Sequence, residues 1–286
     1  MSLSGLAQIS IELSSTCDKT HLCTFCGHQD ENINPNLQFG HMALPLLQSI
    51  RAQLEPGVVV SFHRDGESTT HPRLRECLSL FHGFTTSLVT HGLNLARRAD
   101  ELIENCTTIT VSAFRGDADR DAQYESVSAF LKRKGDRLPR VQLKIVGDGC
   151  DERLLTLGVP VLRRLIHTPS GNTKYAHRLP TVPECGICLD ALHRPSVDWR
   201  GRVFLCNRLD TTDAGFLGDL NQETLEAIWN GQKRQASVKL HQQGHRHLVN
   251  SLCASCTFYG VPSEWQPPVA AETVSHPTPL IQIGVR

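Results

Sequence analysis

No stretch of the 286-residue sequence reaches the ~18 consecutive apolar residues of a membrane-spanning helix. Charge of one sign is not in excess: 29 Lys and Arg stand against 29 Asp and Glu, a formal net charge of zero. Proteins built to hold nucleic acid or a membrane surface usually carry a basic surplus, so neither partner is expected. The opening residues MSLSGLAQISIEL lack a basic leader and a long apolar core. No signal peptide is read there, and a cytoplasmic location is the expectation.

Cysteine, by contrast, is plentiful, with eleven in the chain. In a reducing compartment these are metal ligands or catalytic thiols rather than disulfides. A chain of this length also builds a core without covalent staples.

Short runs rich in Val, Ile and Thr alternate with helical patterns up to about residue 167. Strands are expected at Ala7–Leu13, Gly57–Phe62, Thr85–Val89, Thr107–Ser112, Val141–Val146 and Val161–Ile166. Helices are expected at Met42–Leu54, Pro72–His82, Asn94–Asn105, Ala118–Lys134 and Asp151–Leu157, with Pro72 opening its helix and Gly135 ending another. Six βα units imply an α/β fold with a parallel sheet, too short for an eight-stranded barrel and therefore an open, partial (β/α)6 barrel. The Pro-, Gly- and Thr-rich His167–Pro183 reads as a boundary. A hairpin around Arg200-Gly201 follows, then helices at about Gln222–Asn230 and on to Gln243. The expected units are 1–170, a small α+β unit at 171–262, and a Pro-rich tail at 263–286.

Cys17, Cys23 and Cys26 form C-x5-C-x2-C just after the first strand. Three thiolates on one loop suit zinc or an iron–sulfur cluster. A closed zinc site needs a fourth ligand, for which His21 or His28 is available. The loop resembles the cluster loop of the radical S-adenosylmethionine (radical SAM) enzymes, whose usual form is C-x3-C-x2-C with an aromatic before the third cysteine. Phe25 holds that place, and the first gap is two residues longer. The resemblance implies a 4Fe–4S cluster on three cysteines whose fourth iron binds SAM.

Other segments extend the resemblance over about residues 5–166. Asp65-Gly66-Glu67-Ser68, followed by His71-Pro72, is similar to the family's GGEP segment, with Asp65 and Ser68 departing from it. That likeness implies SAM contacts at Gly66, Glu67 and Ser68. A carboxylate and carbonyls at a strand end accept well from an ammonium group. Thr90-His91-Gly92 is similar to the family's Thr-Asn-Gly turn, and reads equally as a plain βα turn. Ser112 falls where the family places a polar residue near the SAM ribose, while Asp117 suits a helix cap.

Cys185, Cys188, Cys206, Cys253 and Cys256 form a second set. With VDWRGRVFLCN, GFLGDL and LEAIWNG, they resemble the auxiliary region called SPASM, and more closely its shorter twitch form. No cysteine follows Cys256, so one auxiliary cluster is expected. Its ligands are Cys188, Cys206, Cys253 and Cys256, with Cys188 favoured over Cys185 by spacing; the same four thiols also suit zinc. Cys77, Cys106 and Cys150 read as ordinary packed cysteines. Lys239, His241, His245, Arg246 and His247 read as a solvated helix face, and His63 and Arg64 either face substrate or pair at the strand end.

The resemblance implies reductive cleavage of SAM to a 5′-deoxyadenosyl radical, hydrogen abstraction from a substrate carbon, and net oxidation assisted by the auxiliary cluster. A small-molecule or peptide substrate and an electron donor such as flavodoxin or ferredoxin are the implied partners. The reading from another class is a non-catalytic zinc protein using both cysteine sets structurally.

Overall fold

The computed structural model describes residues 2–19, 23, 26, 38–147, 149–164 and 188–256. Six parallel strands run in sequence order: β1 Gln8–Ile11, β2 Val59–Phe62, β3 Thr86–Thr90, β4 Thr108–Ala113, β5 Arg140–Val146 and β6 Val161–Arg164. Helices α1 Leu44–Ala52, α2 Leu74–Ser79, α3 Ala99–Leu102, α4 Arg120–Lys134 and α5 Glu152–Leu155 fall between them. Each expected unit is present, most within the expected range, with β3 and β4 running one residue further and β5 starting one residue earlier. Pro72 lies outside α2, which starts at Leu74 after an Arg73 cap. The helix expected over Asn94–Asn105 contracts to α3, because the turn at Gly92 runs on to residue 98. The boundary His167–Pro183 and the tail lie outside the described residues.

Polar and apolar residues alternate along β1, β4 and most of β5, unlike the near-continuous apolar strands of a doubly covered sheet. One face carries Ile11, Phe62, Leu88 and Ile109, aligned in register and packed into the core with Leu47, Ile50, Leu74, Leu78 and Phe130 from the helices. The opposite face carries Ser10, Ser61 and Ser87 in one row and Thr110 with Gln142 in a higher one. Gln142 Nε2 donates to Thr110 Oγ1 at 2.8 Å across this face. A polar face on a parallel sheet is the lining of a partial barrel.

The C-terminal region extends the same sheet. Strands β7 Ser196–Val197, β8 Arg202–Phe204 and β9 Phe216–Asp219 follow, with β7 pairing parallel to β1 and the other two antiparallel. The sheet order is β6-β5-β4-β3-β2-β1-β7-β8-β9. The hairpin turns at Gly201, whose φ of 96° suits a residue without Cβ. Around it stand α6 Leu189–His193, α7 Leu225–Trp229, α8 Gln232–Gln242 and α9 Ser251–Ser255. Trp229 plugs the join: its side chain is buried, its indole N–H donates to Ser4 O, and Arg234 stacks on its ring. No helix of the described residues is long and apolar enough to cross a membrane.

Candidate functional site

The loop that leaves β1 crosses the C-terminal ends of the parallel strands, where βα barrels place their chemistry. Four anchors hold its start. Ser15 Oγ accepts from Gly40 N at 2.8 Å. Thr16 Oγ1 and Ser14 Oγ meet Thr70 Oγ1 at 2.8 and 2.7 Å, after β2. Asp18 accepts from His91 and Asn94, after β3. Lys19 is buried on Asp117 at 2.7 Å and Asp119 at 3.3 Å, after β4. Asp117 thus serves the loop as an ion-pair partner, besides accepting from Asp119 N. The chain is pinned on both sides of Cys17 by three other strands' loops.

Cys17, Cys23 and Cys26 are half-buried and near enough for their charges to interact. Burial pushes the Cys23 thiol up to about 12, against the pull of the Lys19 ammonium. Phe25, His21 and His28 lie outside the described residues.

The Asp65–Ser68 segment packs directly on this loop. A Cβ on Gly66 would overlap the backbone of Ser14 and Ser15, so only glycine fits. Glu67 N donates to Thr16 O at 2.8 Å. The Glu67 carboxylate is buried and accepts from Thr69 N, Thr69 Oγ1 and His91 N at 3.0, 2.7 and 2.9 Å. It knits the β2 and β3 loops together beneath the cysteine loop. Ser68 is buried, its hydroxyl turned back to Phe62 O. His71 is structural as well: Nδ1 accepts from Arg73 N, which leaves Nε2 to donate to Met42 O at 3.0 Å.

His91 stands between Asp18, 3.0 Å away, and Glu67, 3.4 Å away, beside Cys17. Burial opposes protonation of its ring, but the two carboxylates and the thiol outweigh it and raise its pKa. The Leu93 N–H, 3.1 Å from Nδ1, favours the form with the proton on Nε2. Ser112 lies on the polar face, next to Lys144 in register.

The second cysteine set also converges. Cys188 caps α6, Cys206 follows β8, and Cys253 and Cys256 sit on and just after α9. All four line one cavity of about 20 Å³ with Asp190, Ala191, Arg208, His241, Arg246 and Leu252. The Asn250 side chain caps α9 by accepting from Cys253 N at 2.8 Å. Burial raises the Cys188 thiol to about 11 and Cys253 to about 12, and raises Cys206 further. Buried thiols of this kind ionise when a bound cation compensates them. Among the described residues no three His, Cys, Asp or Glu side chains are grouped to hold a metal ion directly. Four thiols around one cavity are nonetheless the donor set of an iron–sulfur or zinc centre. Cys185 lies outside the described residues.

The solvated face expected over 239–247 is corrected at two positions. His241 and Arg246 are buried in this cavity, with His241 Nε2 3.8 Å from Cys253 Sγ. The polar α8 has little else to pack inward, so His241 serves as its buried side, and Arg246 is buried from the turn that follows it. The anchors Asp18, Lys19, Asn94 and Thr70 escape sequence reading, because single polar residues on loops leave no periodic signal.

Residues 188–257 match the model of SPASM, described as an iron–sulfur cluster-binding domain. BtrN in complex with AdoMet and 2-DOIA superposes with a TM-score of 0.65 at 19% identity, covering 91% of this chain and 96% of that one. SuiB of Streptococcus suis bound to the precursor peptide SuiA gives 0.60 at 12% identity, covering 89% and 71%. Native anSMEcpe with bound AdoMet gives 0.60 at 14%, covering 87% and 89%. A search of curated proteins returns no match. The chain therefore has the fold of the radical SAM enzymes, with a SPASM region at its C-terminal end.

Proposed function

We propose that this chain, with a radical SAM fold and a SPASM region, is an enzyme that reductively cleaves S-adenosylmethionine and abstracts hydrogen from a substrate carbon. The observation that carries the reading is the placement of Cys17, Cys23 and Cys26. Their loop leaves β1 at the strand ends, and Gly66, Glu67 and His91 are packed directly against it. Bound there, a 4Fe–4S cluster and SAM supply abstraction of a hydrogen atom from an unactivated carbon. Cys17, Cys23 and Cys26 would hold the cluster, and Gly66, Glu67, Ser68 and Ser112, with Phe25 by sequence position, are the residues assigned to SAM. The anchors at Thr16, Asp18 and Lys19 fix the loop, which keeps the reacting groups in register.

Cys188, Cys206, Cys253 and Cys256 would hold one auxiliary 4Fe–4S cluster, as in the twitch form. Four thiols would ligate such a cluster fully, and the chemistry it would supply there is acceptance of an electron, consistent with a net oxidation of the substrate. Flavodoxin or ferredoxin is the class of donor that fits the reductive step. The likeness to BtrN, which holds 2-DOIA and spans nearly the same length, supports a small molecule; SuiB, with its precursor peptide, supports a peptide. The length match favours the former.

The test is anaerobic reconstitution with iron and sulfide, followed by reduction with SAM present. About eight irons per chain and formation of 5′-deoxyadenosine are expected. Stoichiometric zinc with no iron would instead establish the structural zinc reading.

A further inference from the structure

The polar face of the sheet carries two basic side chains that neither the cysteine loops nor their anchors employ. His63 follows β2 and is level with Val89, Thr110 and Gln142; Lys144 on β5 is one row higher, beside Ser112. On a flat sheet β2 and β5 would be three strand spacings apart, roughly 14 Å. Here each ionisation feels the other region: Lys144 and Arg208 act on His63, and Arg164 and Arg208 act on Lys144. The curl of the sheet brings them together across its concave side. Arg208, two residues beyond Cys206 and paired with Asp190, acts on this group by its charge from the C-terminal region.

The charges acting on the pair are all positive. Burial, then Lys144 and Arg208, lowers His63 to about 3, and burial, then Arg164 and Arg208, lowers Lys144 to about 8. Both side chains keep some accessible surface, as groups on the floor of a cleft do. Among the described residues the neighbouring carboxylates already have partners. Glu12 accepts from Asp65 N, Gly66 N and Trp199 N. Asp65 pairs with Arg64 at 2.8 Å, and Asp190 with Arg208 at 2.7 Å. Asp210 accepts from Ala214 N and Gly215 N. A desolvated ammonium beside other cations is unfavourable until an anion joins it, and a neutral imidazole on the same floor can donate to that anion.

We propose that this floor is an oxyanion site, and that the substrate carries a carboxylate or phosphate held by Lys144 and His63. The proposal rests on the enzymatic reading of the preceding section, and it names the class of substrate. A carboxylate has two possible sources, since SAM also carries one, and the experiment separates them.

The reconstituted holoenzyme is titrated calorimetrically with inorganic phosphate, with acetate, and separately with SAM; Lys144→Gln and His63→Gln are treated alike. Wild type is expected to bind phosphate or acetate in the millimolar range, at least tenfold tighter than Lys144→Gln, while SAM affinity changes less than twofold. His63→Gln is expected to weaken the same anion several-fold and gives the readout if Lys144→Gln does not fold. Anion affinity that is undetectable, or equal in wild type and both variants, overturns the proposal. A parallel loss of SAM and anion affinity also overturns it, by giving the site to SAM's own carboxylate. The enzymatic reading is scored apart, by 5′-deoxyadenosine formed in wild type without substrate.

Discussion

Trp199, in the turn between β7 and β8, donates its backbone N–H to Glu12 Oε2 at 3.2 Å. The other oxygen of this buried carboxylate accepts from Asp65 N and Gly66 N, both at 3.3 Å. One side chain at the end of β1 thus joins the hairpin that presents Cys206 to the segment that packs on the Cys17 loop.

Glu12→Gln should therefore loosen both. The amide offers one acceptor where three N–H groups now converge on two oxygens. A loss of about 1–3 kcal/mol in urea denaturation is expected. Unchanged stability would show that the carboxylate is dispensable to the join.

Glu67→Gln turns an NH2 toward the His91 N–H, which now donates at 2.9 Å. The loops beneath the cysteine loop should shift. SAM affinity should fall about ten- to a hundred-fold, the equivalent of a lost charge-assisted contact, with iron content intact. An unchanged affinity would reduce Asp65–Ser68 to a turn.

Replacing Cys17, Cys23 and Cys26 together with Ala should leave about half of the iron and abolish 5′-deoxyadenosine formation. Iron analysis and chromatography of the reaction mixture check this. Full iron retention would place both clusters elsewhere.

Replacing Cys253 and Cys256 with Ala separates electron acceptance from hydrogen abstraction. Oxidised product should disappear while some SAM cleavage survives. A product isomeric with the substrate in the wild type would refute the oxidation and favour a redox-neutral rearrangement.

Lys144 links stability to pH. Its folded pKa, about 8, lies below the ordinary 10.5 because burial and the facing Arg164 and Arg208 disfavour the ammonium. The unfolded chain binds the proton more tightly, so the cost is full below pH 8 and fades as pH rises through 10.5. Lys144→Met should exceed wild type in stability by up to about 3 kcal/mol at pH 7, and the gap should close above pH 10.5. Urea denaturation at the two pH values measures it; a gap independent of pH would rule out the desolvated ammonium as its source.

Much of the first half was legible because two periodicities coincide there. Alternation in stretches such as Ser10-Ile11 and Ser61-Phe62 marks strands, and Gly or Pro punctuates the helices between them. Cysteine spacing picked out the four thiols that line one cavity. What stayed hidden depends on long-range geometry. β7 is two residues long and finds β1 some 185 residues away in sequence, and nothing in Ser196-Val197 announces that partner. The burial of His241 and Arg246 was likewise hidden, because a polar helix reads as solvated until a neighbour covers it. Asp18 reaches His91 and Lys19 reaches Asp117 only after three loops meet.

The pairing of β7 with β1 also governs how the chain can be divided. A fragment ending before residue 188 would leave β1 as an open edge, with Ser10 N and Glu12 N deprived of Pro195 O and Val197 O. Unpaired strand edges recruit other chains. Such a fragment is expected to aggregate even with its own core and cysteine loop complete. The C-terminal region is therefore a cap on the sheet as much as an iron–sulfur domain, and excising it would confound the redox role proposed for it with that of an edge guard.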